Sequence, residues 1–230
     1  MLNLRLLTAA ALASLMLAPA AHAVPTLAMT LDDGVNPAIT LVDTTHLGFL
    51  NFSGSLGAFT INVSTGTGVG SLNPLGDGLI DLNSINVSSS VSGGTLTLKL
   101  TEYDLVEPTG LTQFHSAIGG TVGSPGKPPS TVTFNTYMDS SNTAYGTGTA
   151  LSAQSFTGAG AAFSYEALAA ATVIGPFSET IVVTITAPAG STSSFDGLVT
   201  PAPEPTSLAA LGAGLLIMGL VSRRRARKQA

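Results

Sequence analysis

The sequence predicts an all-β fold, an antiparallel β-sandwich spanning residues 24–200, for which a jelly roll is one candidate arrangement. The first observation is strict alternation of apolar and polar residues, clearest at residues 95–101, where Leu96, Leu98 and Leu100 alternate with Thr and Lys. The second is the turn chemistry, because 26 Gly and 13 Pro interrupt the alternating segments. About ten short strands separated by such turns favour a sandwich.

The remaining strands follow from the same pattern. Between residues 79 and 87 the apolar phase slips from Leu82 to Ile85, which predicts a β-bulge. The Ala-rich segment 161–172 could form a helix, or equally a strand followed by a loop. We expect a linker to begin near Pro201. The other predicted strands are residues 27–31, 39–42, 47–52, 59–63, 111–118, 131–135, 150–156 and 181–185.

Composition and charge exclude several classes of function. The chain has no cysteine, which excludes disulfides, thiolate metal sites and cysteine catalysis. Lys99 and Lys127 are the only Lys or Arg residues between positions 24 and 200, where they face twelve Asp and Glu residues. Nucleic acid is therefore excluded as a partner, because phosphate binding needs clustered basic residues. Divalent cations or a cationic matrix fit this charge, although a solvated acidic surface explains it more simply.

The N-terminus predicts a secretory signal peptide over residues 1–23. Arg5 precedes an apolar run at residues 6–18, and Ala21 and Ala23 are the small residues that a signal peptidase reads. We expect cleavage after Ala23. An uncleaved anchor is the alternative, but the run is shorter than the ~20 residues that span a bilayer.

The C-terminal segment, residues 201–230, has three parts. Pro203, Glu204 and Pro205 come first, an apolar run follows at residues 208–221, and a basic cluster ends the chain, formed by Arg223, Arg224, Arg225, Arg227 and Lys228. This order resembles the PEP-CTERM sorting signal. The resemblance implies recognition by an exosortase, a membrane enzyme of Gram-negative bacteria that is often encoded beside exopolysaccharide genes.

The length of the apolar run fits a temporary membrane stop. As a short hydrophobic helix its 14 residues would extend ~21 Å, less than the ~30 Å hydrocarbon core. The basic cluster should remain on the cytoplasmic side, so that the body is exported across the inner membrane. We expect tail removal and release to the cell surface or the extracellular space. A plain C-terminal anchor is the alternative.

Two acidic, glycine-containing segments are candidate Ca²⁺ sites. Asp32 and Asp33 precede Gly34, and Asp77, Asp81 and Asn83 follow one another closely. Such oxygen ligands suit Ca²⁺, but Asp and Gly are also ordinary turn-forming residues. Calcium is the single cofactor that the sequence suggests.

The body contains no recognisable catalytic constellation. No serine lies within a Gly-x-Ser-x-Gly motif, and Ser116 and His115 are strand neighbours that should point to opposite faces. A glycosidase needs two carboxyl groups that face each other across a cleft, and Glu102 and Asp104 are spaced to lie on one face of a strand, but solvated acids at a strand end explain them better. We therefore assign no catalytic residue.

These observations lead to three hypotheses of function. The first is a structural or adhesive protein of the surface or extracellular matrix, associated with exopolysaccharide. The second is a Ca²⁺- or glycan-binding module, and the third is a secreted hydrolase. The predicted partners are exosortase, signal peptidase and the secretion machinery, and exopolysaccharide.

Overall fold

The computed structural model describes residues 23–68 and 78–202, together with Leu215, Leu216 and Met218. The two long ranges contain twelve β-strands, all paired antiparallel. In chain order they are β1 (Thr26–Asp32), β2 (Ile39–Val42), β3 (Phe49–Leu56), β4 (Phe59–Gly68), β5 (Ile80–Ser89), β6 (Gly94–Leu105), β7 (Gly110–Val122), β8 (Ser130–Asp139), β9 (Thr149–Gly158), β10 (Ala161–Val173), β11 (Phe177–Ala187) and β12 (Thr192–Ala202).

The strands form two six-stranded sheets. Sheet A has the order β2-β1-β6-β11-β8-β9, and sheet B has the order β10-β7-β12-β5-β4-β3. From β5 onward every connection crosses from one sheet to the other, except the β8–β9 connection within sheet A. The predicted antiparallel β-sandwich is therefore confirmed.

A hydrophobic core lies between the two sheets. Leu96, Leu98 and Leu100 are fully buried, as their alternation in the sequence predicts. Phe134 of sheet A and Phe195 of sheet B are also buried in this cluster. Packing of these side chains, with the sheet hydrogen bonds, stabilises the sandwich in a chain that has no disulfides.

The predicted bulge in β5 is confirmed. The register between β5 and β12 shifts where Phe195 pairs with Ile85 and Gly197 pairs with Leu82. Ser84 lies within this shift and has a φ of 52°. The bulge brings both Leu82 and Ile85 into the core.

Two segments differ from the sequence-based prediction. The Ala-rich segment is not a helix, because it forms β10, which pairs along its whole length with β7. Its helix propensity of a few tenths of a kcal/mol per residue is smaller than the stabilisation from pairing with a neighbouring strand. Strand β12, which was not predicted, lies between β7 and β5 and ends at Ala202, two residues past the expected end of the body.

The predicted C-terminal helix lies mostly outside the described residues. Leu215, Leu216 and Met218 are helical in conformation and exposed. Among the residues that the structure describes, no helix is long and apolar enough to cross a membrane.

Candidate functional site

An open cleft crosses the outer face of sheet B, and we call it the sheet B cleft. It runs over strands β10, β7, β12 and β5 and has a volume of about 580 Å³. This volume lies within the range of small-molecule sites. Its lining residues are Asp81, Asn83, Ala117, Ile118, Gly119, Ser164, Tyr165, Glu166, Asp196, Gly197 and Leu198.

The strand register places the polar groups of the cleft in a row. Glu166 of β10 pairs with Ala117 of β7, Ala117 pairs with Leu198 of β12, and Leu198 pairs with Asp81 of β5. Because neighbouring strands lie ~4.8 Å apart, Glu166 and Asp81 stand about 14 Å apart across the sheet. The row therefore carries a carboxylate at each end and apolar residues between them.

A second, parallel row forms the adjacent part of the cleft. Ser164 of β10 pairs with Gly119 of β7, and Gly119 pairs with Asp196 of β12. A side chain added at Gly119 would meet nothing closer than 3.7 Å, so glycine at this position leaves the floor open rather than relieving a clash. Small floor residues between polar walls give an extended cleft into which a chain-like ligand can lie.

One wall of the cleft is a hydrogen-bonded acidic cluster. Asn83 Nδ2 donates to Asp81 Oδ2 at 2.8 Å, and the backbone amide of Ser84 donates to Asp196 Oδ1. Burial raises the pKa of Asp81 above its ordinary value of 3.8, and the charge of Asp196 raises it further, against the lowering effect of the Asn83 hydrogen bond. The β5 bulge thus joins two carboxylates that are distant in sequence into one group of hydrogen-bond acceptors.

The opposite wall is more exposed. Glu166 Oε2 lies 3.8 Å from His115 Nε2, and its side chain is 79% exposed. Leu168 continues this wall and is 64% exposed. The described residues that line the cleft include three carboxylates and neither lysine nor arginine. Such a site favours hydroxyl and amine donors and repels anions.

The candidate calcium ligands Asp32, the last residue of β1, and Asp33, the first residue of the β1–β2 loop, lie away from this cleft. The backbone amide of Gly34 donates to Asp32 Oδ1 at 2.8 Å, and that of Asn36 donates to Asp33 Oδ1 at 2.7 Å. The hydrogen bond from the Asn36 backbone, followed by that from the Asn36 side chain, lowers the pKa of Asp33. Both carboxylates accept hydrogen bonds from nearby backbone amides, as Asp side chains commonly do in turns.

Only part of the predicted site set can be placed. The structure brings Asp81 and Asn83 together on β5 and adds Asp196 to them. Ala23 is described and exposed. The others lie outside the described residues: Ala21, Asp77, the sorting motif Pro203, Glu204 and Pro205, and the basic cluster Arg223, Arg224, Arg225, Arg227 and Lys228.

The residues weighed for catalysis take other partners. Ser116 Oγ lies 2.7 Å from Thr136 Oγ1 inside the sandwich, whereas His115 faces Glu166 on the outside. Asp104 accepts a hydrogen bond from Asn142 Nδ2 at 2.6 Å. Glu102 is fully buried rather than solvated, so the interpretation as surface acids at a strand end is wrong for this residue.

Sequence reasoning missed Glu166, Asp196 and the floor residue Gly119. Glu166 was hidden because β10 reads as an Ala-rich segment of ambiguous structure. The signal for Asp196 was the apolar spacing of Phe195 and Val199, which marks β12 and leaves Asp196 on the outer face.

Comparisons with known proteins give remote structural similarities. No protein-family model matches the sequence, and the search of curated proteins found no match. Among solved structures the chain is similar to TmCBM61 in complex with β-1,4-galactotriose, at 11% identity and a TM-score of 0.33, with 65% of this chain and 92% of that chain covered. It is also similar to TmCBM27, a carbohydrate-binding module in a study of mannan recognition, at 10% identity and a TM-score of 0.33, with 68% and 90% covered.

A third similarity is to the CBM22-1 xylan-binding domain from Paenibacillus barcinonensis Xyn10C. Its identity is 8% and its TM-score is 0.26, with 68% of this chain and 87% of that chain covered.

Proposed function

We propose that this chain is an exported, non-enzymatic surface protein that binds a neutral polysaccharide in the sheet B cleft. The observation that carries the proposal is the pair of polar walls, about 14 Å apart, on either side of a floor that contains Ala117, Gly119 and Leu198. A cleft of this shape holds an extended ligand that offers many hydroxyl groups.

The chemistry of the walls suits sugar hydroxyls. The carboxylates of Asp81, Asp196 and Glu166 accept hydrogen bonds, and such charge-assisted bonds are about twice as strong as neutral ones. Asn83 and Ser164 add an amide and a hydroxyl. The apolar surface between the walls gives the faces of a sugar ring a place to pack.

Charge narrows the class of polysaccharide. The three carboxylates of the cleft repel uronate or sulfate groups, and the body as a whole carries twelve acids against two lysines. A neutral polysaccharide, or one with amino groups, avoids this repulsion. We therefore propose that the sheet B cleft is specific for uncharged polysaccharides that are rich in hydroxyl groups.

The second part of the proposal concerns the export and localisation of the protein. The signal peptide over residues 1–23 supports export, and the Pro203-Glu204-Pro205 motif with its basic cluster supports processing by an exosortase. Cell fractionation with and without the sorting enzyme tests this part. We expect the processed chain to lack Arg223 through Lys228 by intact mass, and a surface-located chain that retains them would contradict it.

The binding proposal is tested with residues 24–230, the chain after signal cleavage and before tail removal, purified in mild detergent because its tail is apolar. Affinity gel electrophoresis would compare a neutral glucan, a neutral galactan, polygalacturonate and the extracellular polysaccharide of the source bacterium. We expect retardation by at least one neutral polymer and none by polygalacturonate. Absence of retardation by every neutral polymer and by the native polysaccharide would overturn the proposal.

Variants locate the binding to the cleft. The double variant Asp81→Asn/Asp196→Asn keeps the shape of both side chains and removes their charges. Since a hydrogen bond to a charged group contributes about 1.5–3 kcal/mol, affinity should fall at least about tenfold. Asp32→Asn is the matched control, because it makes the same change at the exposed end of β1, away from the cleft. Equal affinity of the double variant and the control would argue against this site.

A further inference from the structure

Three large apolar side chains are exposed at the end of the sandwich where β12 ends. Leu111 of β7 is 69% exposed, Leu168 of β10 is 64% exposed, and Ile174, which follows β10, is 74% exposed. We call these three residues the tail-side patch. Single exposed aliphatic side chains are ordinary, but a group of them on one surface often marks a contact site.

The strand register places the tail-side patch next to Ala202, the last residue of β12. Ala202 pairs with Gln113 of β7, and Leu111 lies two residues away on the same strand. With ~4.8 Å between strands and ~3.4 Å per residue, the Cα atoms of Leu111 and Ala202 stand roughly 8 Å apart. Leu111 in turn pairs with Thr172, two residues before Ile174. The chain therefore leaves the sandwich beside this patch.

The tail-side patch faces away from the core. In β7, Thr112 is buried, so the preceding Leu111 points outward from sheet B. In β10, Ala171 is buried, so Leu168, three residues before it, points outward as well. The core between the sheets includes Ala171 but neither Leu111 nor Leu168. The patch is thus open to a partner outside the sandwich.

The patch itself is uncharged, and its charged neighbours are few. Among the described residues these are Glu166 with His115, beside Leu168, and Glu107 in the connection between β6 and β7. The two lysines of the body lie elsewhere, Lys99 in sheet A and Lys127 in the β7–β8 connection at the opposite end. The surroundings of the patch therefore suit an apolar partner without net charge better than an anionic one.

The length of chain beyond Ala202 identifies this partner. Five residues, 203–207, separate Ala202 from the apolar run at residues 208–221. Even fully extended, they keep Ala202 within ~20 Å of the start of that run. As a helix the run is ~9 Å shorter than the hydrocarbon core of a bilayer, so a membrane that holds it also holds the preceding chain close to its surface.

We propose that the tail-side patch rests on the lipid bilayer while the C-terminal apolar run is in the membrane, with Leu111 and Ile174 inserted among the headgroups. Apolar side chains in this region stabilise binding in proportion to the area that leaves water. The sheet B cleft stays open to the outside, because Ala117 lies six residues, or ~20 Å, from Leu111 along β7. This inference rests on the membrane stop that precedes exosortase processing in the proposed function.

Tryptophan fluorescence tests the lipid contact directly, because the chain contains no Trp. Residues 24–230 carrying Leu111→Trp or Ile174→Trp would be reconstituted in phosphatidylcholine vesicles, with and without bromine on the acyl chains near the headgroups. Val91→Trp is the matched control, since Val91 is 94% exposed in the β5–β6 connection at the opposite end. We expect the brominated lipid to quench the emission of both patch variants and to leave that of Val91→Trp unchanged.

Partitioning into vesicles gives a second measure. Leu111→Ser/Ile174→Ser should weaken partitioning of residues 24–230 at least about tenfold, because two large aliphatic side chains no longer leave water. Val35→Ser/Val91→Ser makes a similar change at the opposite end, where the two valines are 87% and 94% exposed, and should leave partitioning unchanged. Equal partitioning of the two double variants would overturn the proposal.

Failure of this inference can be told from failure of the proposed function. Chains that float with the vesicles while Ile174→Trp stays unquenched would overturn the lipid contact and leave export and glycan binding as proposed. Chains that do not float would overturn the membrane stop and the lipid contact together. An Ile174→Trp emission that changes with protein concentration, without quenching by brominated lipid, would show that a second copy covers the patch, which also overturns the lipid contact.

Discussion

Substituting alanine for Gly120 should destabilise the sandwich, whereas the same change at its neighbour Gly119 should not. Both glycines lie on β7 between β10 and β12. A Cβ atom at Gly120 would lie 2.2 Å from the Ser194 carbonyl oxygen and 2.6 Å from Phe195 Cα. These are backbone atoms of β12, so no rotamer change can relieve the clash.

The expected difference in unfolding free energy between the two variants follows from the space available to the added Cβ atom at each position. Overpacking of this kind costs about 1–3 kcal/mol, and here the backbone of a central strand must move. Gly119→Ala meets no such contact and restricts the unfolded chain, which stabilises by about 0.4–1 kcal/mol. A difference of about 2 kcal/mol corresponds to roughly 4–8 °C in Tm for a body of this size.

Urea and thermal unfolding of residues 24–230 would measure both variants against the unsubstituted chain. The m-values should remain equal if the two changes act on the native state alone. Equal stability of Gly120→Ala and Gly119→Ala, or a more stable Gly120→Ala, would show that β12 does not pack against β7 in this register.

Three further predictions use the same unfolding measurements. Phe134→Ala should lower the free energy of unfolding by about 3–5 kcal/mol, because Phe134 is fully buried. Phe49→Ala changes a residue that is 47% exposed and should lower it far less. Equal losses would contradict the placement of Phe134 in the core. Burial alone would raise the pKa of Asp43, but hydrogen bonds from the Thr45 side chain and from backbone amides hold it below 3.8. The ionised Asp43 carboxylate should therefore stabilise the fold above pH 3.8, and this stabilisation should be lost as the pH falls further. Asp43→Asn should make the free energy of unfolding less dependent on pH in this acidic range. The same pH dependence in the variant and the unsubstituted chain would contradict this prediction. Ser116→Ala should lower the free energy of unfolding by about 1–3 kcal/mol, because it leaves the buried Thr136 hydroxyl without its hydrogen bond. Adding Thr136→Val should recover part of this loss. Strictly additive losses would show that the two hydroxyls do not interact.

Local patterns in the sequence were enough to predict the class of fold. Leu96, Leu98 and Leu100 alternate with polar residues because β6 buries one face, and that information lies within seven residues. The phase slip between Leu82 and Ile85 likewise reports a bulge that the strand itself contains. Side-chain alternation is a property of one strand, so one strand suffices to read it.

The candidate site could not be predicted in the same way. Ser84 and Asp196 are 112 residues apart in sequence and meet because β12 lies beside β5. Glu166 joins them through the pairing of β10 with β7, in a segment whose alanines carry no alternation signal. Strand order and register are long-range properties, and a site formed across four strands depends on both.

The buried side chain of Glu102 shows the same limit in the core. Glu102 reads in the sequence as a surface acid, because charged residues are rarely buried. Its burial depends on the pairing of β6 with β11 and on the space left by Gly68. Those relations exist only once the two sheets are packed together.

Mapping of the bound glycan onto the protein tests the central claim most directly. Residues 24–230, labelled with ¹⁵N, would be titrated with an oligosaccharide of the neutral polysaccharide that retards the chain. We expect the largest amide shift changes at Asp81, Ala117, Gly119, Glu166 and Leu198, the outward residues of the four-strand face. Shift changes confined to sheet A or to the loops at the ends of the sandwich would contradict glycan binding in the sheet B cleft.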